Sequence, residues 1–346
     1  MKSAIKFSGR VAEFLLMAII VLAASNIRLV SYGFAQLQGQ LNIVWNAKPI
    51  EDVIGDGSVP DSLREKLILV GEIKKFAVDS LGLKLSNNYT TLYDQKGKPV
   101  LWVLTAAEKY KLKSYHWKFP LIGTVEYKGF FDYDKGKKEE KKLSGEGYDT
   151  DYNTTSAWST LGWFRDPILS NILYRNEGQV ADLIIHEMTH ATLYVKSSVD
   201  FNENLASAIG EMGAEQFLKF KYGDSSEVLT RYRNYRDDYI SFASHMLRGI
   251  EKLDSVYKTF SSTDDERYKL ERKTSEIKKI VFTLDTVSFY NKARYMKIFS
   301  QALPNNAYFL SFRRYDAQKE EMKKELMEKF HGNINSYLNY LKNKYK

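Results

Sequence analysis

One five-residue run limits this chain more than its length or composition does. His186-Glu187-Met188-Thr189-His190 is an HExxH motif inside an unbroken helical pattern. Residues four apart on a helix lie one above the other on the same face, so His186 and His190 can turn two imidazole nitrogens toward one metal ion. Glu187 sits roughly 100° round the helix, where its carboxylate reaches a water beside that ion without being a ligand. Two neutral nitrogen ligands and a carboxylate base are what a zinc hydrolase requires. The chain has only 5 histidines, and the chance of an accidental HExxH at that frequency is well under about one in a hundred. A zinc helix is largely buried. The preceding run Val180-Ala181-Asp182-Leu183-Ile184-Ile185 meets that demand, being apolar with one acid.

A catalytic zinc takes a third protein ligand and leaves its fourth position to water. Glu203, in Phe201-Asn202-Glu203-Asn204-Leu205-Ala206, is the candidate. The histidine helix is expected to reach about Val195. Lys196-Ser197-Ser198-Val199-Asp200 then reads as a short turn, with Asp200 or Asn202 able to cap the next helix. That places Glu203 in a first helical turn, folded back toward the histidines. Glu211 and Glu215 lie roughly 12 and 18 Å further along at 1.5 Å per residue, which makes them weaker ligands, though Glu211 could stand behind the first ones.

With these residues in view, the chain resembles the bacterial zinc aminopeptidases of the glutamate-zincin class. The resemblance rests on HExxH followed by Phe201-Asn202-Glu203 and an Ala/Gly-containing helix through Ala206, Gly210 and Gly213-Ala214. It also rests on Ser159-Thr160-Leu161-Gly162-Trp163-Phe164-Arg165-Asp166-Pro167, and less tightly on Lys128-Gly129-Phe130-Phe131-Asp132, Asn305-Asn306-Ala307 and Tyr315. It spans roughly residues 35 to 320. It implies one zinc ion held by His186, His190 and Glu203, with Glu187 as base. Two departures stand out. No G-x-M-x-N segment, which holds the substrate amine in exopeptidases of the wider class, precedes Val180. Gly210-Glu211-Met212 lies on the wrong side of the motif and reads as close helix packing at glycine. Several relatives keep a lipidated N-terminal cysteine, and this chain has no cysteine.

Lys2, Lys6 and Arg10 precede an apolar run over residues 14–24, followed by Ser25-Asn26. That order is a signal-peptide pattern, and the run is short for a spanning helix. Extending it over residues 11–30 takes in Glu13, Asn26 and Arg28. Cleavage near Ala23-Ala24-Ser25 and an uncleaved anchor both fit. Either way the expectation is export to the bacterial envelope, with the catalytic part outside. The lack of cysteine removes thiolate metal sites, cysteine proteases and redox chemistry. The net charge of +8 is spread over lysine-rich helices, which reads as solvated surface. Nothing resembles a nucleic-acid module.

The expected fold is α+β and helix-rich: a targeting segment over 1–30, a zincin-like lobe with a small sheet and the HExxH helix over 31–225, and a helical lobe over 226–346. Helical spacing covers 60–81. Strand-like segments at 91–93, 100–104, 121–127 and 148–158 are rich in β-branched and aromatic residues. Residues 152–159 are the candidate edge strand for an extended substrate, and Trp163 and Phe164 are candidate pocket walls. Residues 134–144 are charged, helix or loop. Long amphipathic helices are expected at 227–255, 264–287 and 316–331. The break at Pro304-Asn305-Asn306-Ala307 would bring Tyr308 or Tyr315 to the cleft, and Tyr315 is the expected oxyanion donor. His116, His245 and His331 stand apart and take no role. The sequence thus predicts a zinc aminopeptidase acting on peptides or proteins, membrane-associated through its N-terminal segment. The rivals are a zinc endopeptidase and a non-catalytic, zinc-stabilised envelope protein.

Overall fold

The computed structural model describes residues 26–119, 123–155, 165–196 and 198–345. The targeting run over 1–25, Leu121 and Ile122, the end of the candidate edge strand from 156 to 159, and Trp163 and Phe164 lie outside the described residues. Helix α1 (Ile27–Asn46) belongs to a unit that ends at Asn46, and Ala47–Lys346 form a second compact unit. Among the described residues no helix is long and apolar enough to cross a membrane.

The second unit is helix-rich α+β, with three small sheets. Strand β1 (Lys48–Pro49) leads through α2 (Ile50–Gly55) to α3 (Asp61–Asp79), which buries Val70, Ile73 and Ala77 along one face at the three- and four-residue spacing of an amphipathic helix. Strand β2 (Thr91–Tyr93) pairs antiparallel with β1 and parallel with β8 (Ile168–Leu169). Strand β3 (Trp102–Glu108) is the centre of a second sheet, between β6 (Tyr127–Phe130) and β7 (Tyr148–Thr154), both antiparallel to it. Strands β4 (Trp117–Phe119) and β5 (Gly123–Val125) form a hairpin. The strand expected over 121–127 is therefore divided between β5 and β6. Residues 133–145 are a helix, α4 (Tyr133–Gly145), capped by Asp132 accepting from the Lys135 N–H.

Two helices hold the motif. Helix α5 (Glu177–Thr192) opens on a capping box: the Asn176 side chain accepts from the Gln179 N–H, and the Gln179 side chain accepts from the Asn176 N–H. It stops at Thr192, short of the expected Val195. The Thr189 and Thr192 hydroxyls donate back to the carbonyls of Ile185 and Met188, and Leu193 leaves in an extended conformation. Helix α6 (Val199–Tyr222) returns antiparallel against it. Gly210 and Gly213 make this packing close. A Cβ on Gly210 would stand 2.6 Å from Asp182 Oδ1 and 3.2 Å from His186 Cβ, and one on Gly213 would stand 2.9 Å from Ile185 Cγ2.

The remaining chain is helical: α7 (Glu227–Lys258), α8 (Glu266–Thr283), α9 (Lys292–Met296), α10 (Asn306–Asp316), α11 (Lys319–Phe330) and α12 (Ile334–Lys344). One apolar cluster joins α3, α5 and α6 to residues of α11 and α12 such as Leu326 and Leu338. A second is built on Phe242, Met246, Ile250, Leu253 and Tyr257 of α7, with Ile277 and Ile280 of α8 and Phe309 and Phe312 of α10. The HExxH helix belongs to the first cluster, and α10, with Phe309 and Phe312 in the second, packs against α6.

Candidate metal centre

His186 and His190 project from one face of α5 with their Nε2 atoms 3.1 Å apart. Glu203 Oε2 lies 3.5 Å from each of them. His186, His190 and Glu203 form the metal-capable cluster among the described residues. The fit to zinc can be tested on that triangle. Ligand atoms of a tetrahedral ion bound at about 2.0–2.1 Å stand roughly 3.3–3.4 Å apart. The observed edges bracket that length, and two imidazoles with one carboxylate are a donor set zinc accepts. The residues fit the ion.

The sequence around Glu203 accounts for its placement. Asn202 is buried, and its side chain closes a two-bond clasp on Val195: the Val195 N–H donates to Oδ1 at 2.8 Å, and Nδ2 donates to the Val195 carbonyl at 2.8 Å. The turn between α5 and α6 is thereby tied to the first turn of α6. Asn202 therefore clasps the turn, and the cap position is taken by Ser198. Asn204, fully buried, works in the other direction. Its Nδ2 donates to the Arg314 carbonyl at 2.6 Å, and its Oδ1 accepts from the Gln318 N–H at 2.8 Å. Those bonds hold the end of α10, and with it Tyr315, against α6.

Electrostatics follow from this packing. Burial works against ionisation of Glu203, but the hydrogen bonds and charges of His186 and His190 outweigh it and hold the carboxyl well below the usual range. For His186 burial favours the neutral ring, while Glu203, Glu187 and Asp182 together raise its pKa. Behind burial, the charge of Glu187 helps to raise the pKa of Tyr89, Tyr127 and Tyr315. Tyr315 is pushed up first by burial and then by Glu203. It keeps its proton at neutral pH and is available as a donor.

Other candidates have different duties. Glu211 accepts from Lys319 at 2.6 Å and Lys323 at 2.8 Å. Glu215 is gripped by Arg233 and Arg236 and is pushed down to about 2 by their hydrogen bonds, against the opposing effect of burial. Neither is near enough to the histidines to join the cluster. Tyr308 lies among Phe299, Phe309 and Phe312 in the second core. Tyr152 of β7 donates to the Tyr133 carbonyl and covers Gly136. Tyr127 of β6, on the opposite edge of that sheet, is pushed up to about 12 by burial and then by the Glu203 charge. His245 sits against the Ile280 carbonyl, His116 beside Glu126, and His331 at the end of α11.

The sequence also contains participants that spacing alone understated. Asp182 stands one turn before His186, the single acid of the apolar flank. It accepts from the Tyr232 hydroxyl at 3.1 Å, and burial, then Glu211, raise its pKa to about 6. With His186, Glu211, Tyr315 and Lys319 it lines a cavity of about 200 Å³ beside the metal-capable cluster. Its i−4 spacing was the available signal.

The profile of the family described as "Putative aminopeptidase" matches residues 31–344. The chain belongs to that family. The match takes in α5, α6 and α10, and with them every residue of the cluster. Membership supports a peptidase function, and a peptidase acts on peptides. No curated protein and no solved structure matches the chain.

Proposed function

We propose that this protein is a zinc-dependent aminopeptidase in which His186, His190 and Glu203 hold one zinc ion and Glu187 is the general base. The observation that carries the proposal is the triangle of Nε2, Nε2 and Oε2 atoms with edges of 3.1 and 3.5 Å, beside a carboxylate that is not part of it. Zinc bound there would acidify a water and polarise the substrate carbonyl. The chain supplies the rest. Glu187 takes a proton from the attacking water and passes it to the leaving amine as the C–N bond breaks. Tyr315, kept protonated by burial and by the neighbouring Glu203 charge, donates to the carbonyl oxygen as negative charge gathers on it.

Zinc stoichiometry and turnover in the wild type and in Glu187→Gln test this reading. The variant is expected to keep one zinc and to lose turnover by about 10³-fold, within the range for a lost general base. Equal loss of zinc would mean that base and ligand have been exchanged in this assignment.

One observation favours endopeptidase action as a second reading. Glu211, the acid of Gly210-Glu211-Met212, is neutralised by Lys319 and Lys323 and offers no free carboxylate to a substrate amine. Parallel hydrolysis of free and N-acetylated peptides separates the two. The basic and apolar order of residues 2–24 supports export to the bacterial envelope, checked by fractionating cells that express the full chain.

A further inference from the structure

Helix α1 (Ile27–Asn46) sorts its side chains by direction. At the helical period, Ile27, Val30, Phe34, Leu37, Leu41 and Trp45 fall within an arc of roughly 80°. Ile27, Phe34, Leu37 and Trp45 are exposed, Phe34 by 69% and Trp45 by 76%. Folded chains ordinarily scatter exposed apolar side chains singly. Here four stand in one row that runs the length of the helix. The far side differs: Gln40 and Ile43 are buried there. Helix α1 is thus covered on one side and turns an apolar stripe outward on another.

Charge and sequence context say what the stripe meets. No acid occurs in α1, Arg28 stands in its first turn and Lys48 just beyond its end. The apolar run over residues 14–24, led by Lys2, Lys6 and Arg10, ends three residues before Ile27, and three residues of chain span at most about 10 Å. An acid-free helix flanked by bases, with Phe and Trp on its apolar side, suits the interface of a bilayer with anionic headgroups. Trp is enriched at that depth. The remaining arc carries Arg28, Asn42 and Asn46, which a spanning helix would have to turn to lipid at high cost. A second copy of the chain fits less well. The stripe measures roughly 27 Å by 10 Å, a footprint of about 300 Å², against about 800 Å² per partner in a stable dimer.

We propose that α1 lies flat in the surface of an anionic lipid bilayer, with Ile27, Phe34, Leu37 and Trp45 turned toward the acyl chains. Helix α1 is then a membrane contact in its own right, in addition to the run over residues 14–24. The proposal is independent of the peptidase reading and stands whether or not the second unit hydrolyses peptides. That unit begins at Ala47, so its chain starts at the lipid surface.

The chain has no cysteine, so one introduced thiol carries a label at a known place. The full-length chain is labelled with an environment-sensitive fluorophore in Phe34→Cys, in Leu37→Cys or in Asn46→Cys. Asn46 is exposed but lies roughly 140° round the helix from the centre of the stripe. Each protein is mixed with vesicles of phosphatidylethanolamine and phosphatidylglycerol whose acyl chains carry a spin label. The labels at positions 34 and 37 are expected to shift to the blue and to be quenched several-fold by the spin label, and the label at 46 to keep its aqueous spectrum. Two stripe positions keep the result from resting on one substitution. Labels at 34 and 37 that stay aqueous while the chain sediments with the vesicles overturn the proposal and leave residues 14–24 as the membrane contact. A chain that does not sediment with the vesicles overturns it as well. A blue shift without vesicles that grows with protein concentration assigns the stripe to a second copy instead. Equal quenching at 34, 37 and 46 would mean that lipid surrounds α1, and the flat placement would be wrong.

Discussion

Asn202 and Val195 exchange two hydrogen bonds of 2.8 Å, one in each direction between a side-chain amide and a backbone peptide group. The pair closes the turn between α5 and α6 and sets Glu203, the next residue, over His186 and His190. Asn202→Ala would leave a donor and an acceptor of Val195 without partners. The expected cost is about 2–3 kcal/mol, read by urea denaturation, with weaker zinc binding in the same sample. Unchanged stability together with unchanged zinc affinity would show that the turn holds itself.

Glu203→Ala should lose zinc, and Glu211→Gln should keep it, because Glu211 is bound to two lysines rather than to the cluster. Elemental analysis after gel filtration reads both. In the wild type a chelator should lower the melting temperature, since bound zinc stabilises the folded chain in proportion to ln(1 + [Zn]/Kd). A Glu203→Ala protein that retained a full zinc would transfer the third ligand to another residue.

Gly210→Ala probes the approach of α5 and α6, the two helices that carry the metal-capable residues. The new Cβ would stand 2.6 Å from Asp182 Oδ1 and 2.9 Å from the Asp182 carbonyl, and backbone cannot rotate away as a side-chain end can. We expect a loss of about 1–3 kcal/mol, the usual cost of overpacking, and zinc affinity reduced at least tenfold as His186 is displaced. Wild-type values for both would mean the helices can separate at no cost.

The Glu215 ion pairs predict a pH dependence. Arg233 and Arg236 hold the folded carboxyl at about 2, below the ordinary glutamate value of 4.5. Its stabilisation is therefore complete above pH 4.5 and is lost as the pH falls toward about 2. Glu215→Gln should be less stable than wild type by about 2 kcal/mol at pH 7, after allowance for solvent screening. The gap should narrow steadily below pH 4.5. Urea melts at pH 7, 4 and 2.5 follow it, and a constant gap would assign the difference to lost packing.

Asn204 joins α6 to the end of α10 that carries Tyr315. Asn204→Asp keeps the acceptor for Gln318 and loses the donor to the Arg314 carbonyl. If Tyr315 is the oxyanion donor, this change should reduce kcat by about tenfold or more through misplacement of the phenol. Combining it with Tyr315→Phe should add little. Additive losses would mean that Asn204 acts on something other than Tyr315.

Much of this site was legible before the fold was known. His186 and His190 are set by the four-residue period of a helix, and Glu203 follows because a short turn returns the chain to the same two helices. The glycines at 210 and 213 were legible as packing sites for the same reason. Glu211 looked usable as a ligand-side acid, but Lys319 and Lys323 neutralise it from more than a hundred residues away. Tyr308 and Tyr315 are seven residues apart on one helix. Only their neighbours separate them: Tyr308 meets the aromatic side chains of the second core, and Tyr315 meets the charge of Glu203.

The sequence by itself determined the chemistry of the metal-capable residues and their local order, since helix period, turn length and glycine size act over a few residues. Tertiary structure alone decided the surroundings. The fastening of Asn204 to Arg314, the two lysines on Glu211 and the Tyr89 N–H held by the Asp166 carbonyl each join segments from about eighty to more than a hundred residues apart. No local preference specifies such pairings. They arise when two apolar clusters close and every polar group carried into them must find a partner or remain, like the Tyr89 hydroxyl among the described residues, without one.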